Sequence, residues 1–133
     1  VVGYCLNNGC STTWFNILIV HQNRFKGHNQ GKNKKNYLPE SFIPSFFDLV
    51  IWGHEHETFT EPVKNNEIGF HIYQPGSTVV TSLIAPESKP KGMGLLEINK
   101  QAFRIIPMKL ETVRPFIFSN VKKFYLILKY SMM

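Results

Sequence analysis

The first decisive run of apolar positions is Phe15-Asn16-Ile17-Leu18-Ile19-Val20, which stops at His21. A stretch this short, rich in β-branched and aliphatic side chains, predicts a strand buried on both faces with His21 at its carboxyl end. From Gln22 to Asn36 the chain turns to Asn, Gly, Lys and Gln, so this segment should be an exposed loop that tolerates insertion. Pro39 suits a first helical turn and Glu40 beside it favours the positive helix end, which predicts a short helix from Pro39 to Phe47. Pro44 must then fall in the first turn or break that helix. Leu49-Val50-Ile51-Trp52 repeats the buried-strand pattern and is halted by Gly53.

Downstream, the pattern predicts a loop around Glu61 to Glu67, a strand from Gly69 to Tyr73 and a turn at Gln74-Pro75-Gly76-Ser77. Gly94 to Ile98 and Ala102 to Ile106, joined by Asn99-Lys100-Gln101, predict a hairpin. Strands dominate, so the expected architecture is a strand-rich α/β (α+β) layering with one helical segment. There is no internal repeat. Val1 to Thr13 and Ser119 to Met133 fit this pattern poorly and are expected to lie outside the domain proper.

Composition adds a core and removes some alternatives. With 133 residues, 43% of them apolar, and eleven Phe and two Trp, the chain has the material for one ordinary interior rather than a disordered tail. A net charge of +6 admits a polyanion such as nucleic acid as a partner. Much of that excess sits in Lys32, Lys34, Lys35, Lys122 and Lys123, for which a solvated surface is the plainer account. Cys5 and Cys10 alone make neither a secreted disulfide scaffold nor a zinc site, which fits a reducing intracellular compartment. The longest apolar stretches, Phe15 to Val20 and Phe124 to Leu128, fall far short of the roughly 20 residues of a membrane helix. The opening Val1, without a basic segment ahead of an apolar one, predicts no signal peptide and a chain cut at its front.

The chemistry concentrates in Gly53-His54-Glu55-His56, which follows a buried strand. Spacing of two would put both imidazoles on one side of an extended segment and aim Glu55 away from them. Imidazole suits Mn, Fe, Zn or Ni, whereas an isolated His-x-His is more often an incidental surface turn. His21 changes that balance, because parallel neighbouring strands bring their carboxyl ends to one edge, where ligands bind. His21, His54 and His56 are therefore the candidate metal ligands. No bridging carboxylate accompanies them: Asp48 is the only aspartate and precedes its strand at the end opposite Gly53. His28 and His71 read as a loop residue and a sheet residue.

Several longer markers carry a family resemblance: Trp14-Phe15-Asn16, His21-Gln22-Asn23-Arg24, Leu38-Pro39-Glu40, Asp48 through Glu57, Gln74-Pro75-Gly76-Ser77 and Val79-Val80-Thr81-Ser82. Over Trp14 to Phe118 the chain resembles the later half of the nuclease domain of the double-strand-break repair nucleases of the meiotic recombination eleven type. These are calcineurin-like metallophosphoesterases. The resemblance implies β-sheets flanked by helices and a two-metal, Mn2+-dependent 3′–5′ exonuclease and endonuclease. It also implies a nuclear location, DNA ends as substrate, a coiled-coil ATPase partner and a homodimer. By the same resemblance His21 and His54 hold one cation and His56 the other. The family's Asp-x-His, Gly-Asp and Gly-Asn-His-Asp motifs do not occur in this chain, so it is expected to be inactive alone. A non-catalytic remnant, an incomplete gene product, and a metallophosphoesterase acting on phosphoprotein or nucleotide remain open readings.

Overall fold

A computed structural model of the chain describes residues 2–7, 12–25, 36–114 and 116–119. The strands are β1 (Val2–Asn7), β2 (Thr12–His21), β3 (Leu49–Gly53), β4 (Val63–Lys64), β5 (His71–Tyr73), β6 (Gly92–Asn99) and β7 (Ala102–Lys109). β1 to β5 form one sheet in the order β1-β2-β3-β5-β4, and β6 with β7 forms a hairpin. Inside the larger sheet β2, β3 and β5 run parallel, while β1 and β4 are antiparallel edges. Residues 2–7, outside the domain by pattern, thus hydrogen-bond along β2.

Both faces of the parallel strands are covered, which is why their sequences lack clean polar alternation. Phe15, Ile17, Leu49 and Tyr73 meet Leu96, Ile98, Phe103 and Ile105 from the hairpin. Val50, Trp52, Phe70 and Ile72 meet Leu38, Ile43 and Phe47 on the other face. Phe15 and Trp52 are fully buried, and each such side chain stabilises the fold by about 1.5–3 kcal/mol. The layers are therefore hairpin, sheet and the connecting segment before β3. Outward from the hairpin, Met93, Leu95, Ile106 and Met108 stay exposed in cross-strand register.

The helix expected from Pro39 to Phe47 is reduced to a 3-10 turn, Glu40–Phe42. Pro39 and Ile43 both have extended backbone at its two ends, and Pro44 has no N–H with which to continue it. A second 3-10 turn, Ala85–Ser88, follows the Gln74-Pro75-Gly76-Ser77 segment. Elsewhere the expected strands are present with shifted ends. The third begins at His71 rather than Gly69, because Gly69 (φ +111°) closes a turn onto Asn65. The hairpin arms run longer than expected, across the Lys100-Gln101 turn. A two-residue strand, β4, occupies part of the stretch read as the loop Glu61 to Glu67. The Lys/Asn-rich loop 26–36 lies, except for Asn36, outside the described residues. So does the tail 119–133, except for Ser119. No helix among the described residues is long and apolar enough to cross a membrane.

Candidate metal centre

The register of β2 on β3 places His21 directly opposite Gly53. A Cβ on Gly53 would lie 2.9 Å from His21 Nδ1 and 3.4 Å from the Val20 carbonyl, so the absent side chain makes room for the imidazole. The next residue, His54, takes a left-handed backbone (φ 72°), uncommon for a residue with a Cβ. That turn swings its ring back: His54 Nδ1 stands 3.3 Å from His21 Nε2, and the rings meet edge to face at 77°. Both residues are exposed.

That separation tests the pair as metal ligands. Two nitrogens each about 2.1 Å from one cation, at angles between octahedral and tetrahedral, stand about 3.0–3.4 Å apart. The pair fits a shared cation of the kind imidazole prefers. The same distance also suits a hydrogen bond between the rings, so geometry alone admits both.

His56 is placed differently. Because His54 is left-handed, the segment is not extended and the two-residue alternation does not govern it. Its Nδ1 faces Glu87 Oε1 at 3.0 Å and contacts the Thr81 hydroxyl. The His56 side chain is 45% exposed and that of Glu87 is fully buried. Burial by itself would raise the Glu87 carboxyl, but hydrogen bonds from Thr81, His56 and Lys91 outweigh it and hold the group well below the usual carboxylate range. Glu87 and Lys91 had no signal in the sequence, and Thr81 stood there only within the Val79-Val80-Thr81-Ser82 marker, with no role attached. They lie 25 to 35 residues beyond His56 with no diagnostic spacing.

The structure thus joins His21 to His54 and gives His56 its own partners. Among the described residues no group of three or more His, Cys, Asp or Glu gathers closely enough to hold a metal. Asp48 is committed at the far end of β3, where its carboxylate accepts the Asn16 N–H at 2.7 Å. Glu55 is buried and accepts the Arg24 N–H at 2.8 Å. Arg24 in turn pairs with Glu40 at 2.8 Å and lies over the rings of Trp52 and Phe59. The Trp52 indole donates to the Gln22 carbonyl at 2.7 Å, so the residues just after His21 are fastened to β3. His71 sits in β5 as expected, edge-on to Phe103, and His28 is outside the described residues.

Layering and strand-end imidazoles define a strand-rich α/β protein with ligand-type side chains at the carboxyl edge of its parallel strands. No family model matches the chain. It is 47% identical over 117 residues, 87% of its length, to the double-strand break repair protein MRE11 of Arabidopsis thaliana. It is 46% identical over 104 residues, 78% of its length, to the double-strand break repair protein mus-23 of Neurospora crassa. With MRE11 of Homo sapiens it shares 44% identity over 109 residues, 82% of its length. Over the stretch they share, the chain is homologous to the MRE11-type double-strand break repair proteins, and that kinship implies the metallophosphoesterase fold. The matched stretch spans 13–16% of the length of these relatives.

Proposed function

We propose that the chain supplies the imidazole side of a two-metal phosphodiesterase centre that acts on DNA ends in double-strand break repair, with manganese as the cation. What supports this most is the 3.3 Å approach of His21 to His54 at adjoining strand ends. The relatives' names, double-strand break repair proteins, set the biological context. His21 through Nε2 and His54 through Nδ1 would hold one cation, and His56 the other. Bound manganese supplies positive charge at the phosphate and a more acidic water. The residues of this chain orient ring nitrogens; none of the three is assigned a proton transfer.

With Asp48 and Glu55 engaged elsewhere, the bridging carboxylates belong to other parts of a longer polypeptide. The chain alone is then inactive on DNA. Exonuclease and endonuclease action, a coiled-coil ATPase partner, a homodimer and a nuclear location extend this reading from the family resemblance.

Manganese titration of the chain, followed by the loss of the free-ion paramagnetic resonance signal, tests it. The expected result is measurable uptake that falls at least about tenfold in His21→Ala, with no DNA cleavage. A longer polypeptide carrying the three missing motifs should cleave DNA in manganese. Uptake indifferent to both His21→Ala and His54→Ala would overturn the proposal.

A further inference from the structure

Glu87, 1% exposed beneath His56, has no part in the reading above. Its Oε1 accepts from the hydroxyls of Thr81 (2.7 Å) and Ser82 (3.0 Å) and faces His56 Nδ1 at 3.0 Å. Its Oε2 accepts from the Thr81 N–H (3.0 Å) and from Lys91 Nζ (3.2 Å). A buried carboxylate so surrounded by donors and an ammonium is ionised, and an ionised carboxylate only accepts. Thr81 has given its single hydroxyl hydrogen to Glu87, so its oxygen also only accepts from His56 Nδ1. Neither oxygen facing Nδ1 has a hydrogen to offer. In the neutral ring, the proton therefore sits on Nδ1 and the lone pair on Nε2.

We infer that Glu87 is a positioning residue: together with Thr81 it locks His56 in the tautomer whose Nε2 is free to bind a cation. Lys91 completes the device. Its three hydrogens match Glu87, Ser77 Oγ (3.0 Å) and the His56 carbonyl (3.4 Å), so backbone and ring of His56 are pinned by one network. A carboxylate behind a ligating imidazole fixes its orientation and raises its basicity. The inference rests on the proposed metal reading only for what Nε2 binds.

Long-range 1H–15N spectra of the full 133-residue chain, metal-free and with neutral His56, read the tautomer directly. The expected wild-type spectrum has a protonated Nδ1 and an unprotonated Nε2. Glu87→Gln gives the sharpest contrast. Its amide oxygen must stay with Lys91 and the Thr81 N–H, which turns the NH2 toward His56 Nδ1 and should drive the proton to Nε2. Where Glu87→Gln fails to fold, Glu87→Leu with Lys91→Met removes the pair by apolar groups of similar volume, a change buried pairs often tolerate. It should release the lock as well. Manganese affinity, measured by calorimetry, should fall about 10–100-fold in either variant. A wild-type proton on Nε2, or a folded variant that keeps the wild-type tautomer, overturns the inference. A locked wild-type ring in a chain that takes up no manganese supports the lock and retires the metal reading.

Discussion

His54 and His56 stand two residues apart on one loop, yet their surroundings have little in common. His54 faces another imidazole in the open, on a left-handed backbone. His56 leans on a buried carboxylate, a hydroxyl and, through its carbonyl, a buried ammonium. For the proposed centre, the difference teaches which half the local chain could finish. In that centre His56 would bring its orienting partners with it, whereas the His21–His54 pair, held by strand register and the turn at His54, would need further ligands.

Breaking the braced side should cost most. Glu87→Ala leaves the Lys91 ammonium buried without its partner, and removing one member of such a pair destabilises by about 3–5 kcal/mol. Urea unfolding measures this, and a loss below about 1 kcal/mol would mean that water reaches Lys91. Acid should weaken the same side. The folded Glu87 carboxyl is held below its ordinary range, so the unfolded chain takes the proton first. Its contribution is complete above the usual carboxyl range and is lost as pH falls through and below it. The Glu87→Leu, Lys91→Met variant should lose less on acidification, and equal losses would assign the effect to other groups.

Gly76→Ala should come next, at about 1–3 kcal/mol. Gly76 has φ +76°, and a Cβ there would meet Thr58 Oγ at 2.5 Å and the His56 carbonyl oxygen at 2.9 Å. An unchanged urea midpoint would show that the loop below His56 gives way freely. Smallest of all should be His21→Ala, within about 0.5 kcal/mol in the absence of metal, because the ring is exposed. A loss rivalling that of Glu87→Ala would make His21 a structural residue and remove the contrast between the two sides.

Much of the layering was legible in the residues. Phe15 to Val20 and Leu49 to Trp52 announce strands buried on both faces, and the hairpin follows from the two runs joined at Asn99-Lys100-Gln101. From that, the convergence of His21 and His54 was also legible, since parallel strands share a carboxyl edge. The helix at Pro39 to Phe47 failed because packing of Ile43 and Phe47 under the sheet is satisfied by an extended Ile43 and a turn from Pro44 to Phe47 once Pro44 blocks propagation. β1 was missed because an edge strand is specified largely by the backbone it pairs with. Glu87 was illegible for another reason. Nothing in Ala85-Pro86-Glu87-Ser88 distinguishes a carboxylate buried under a distant imidazole from one on the surface, and only the fold brings its donors together.

One further consequence follows from the pairing of His21 with Gly53. Strand register acts as the vernier that sets the gap between the two rings: slipping β2 by a single residue would move His21 about 3.3 Å along the sheet and turn it to the opposite face. A single-residue deletion or duplication within 15–21 or 49–53 should therefore abolish the approach of the two imidazoles.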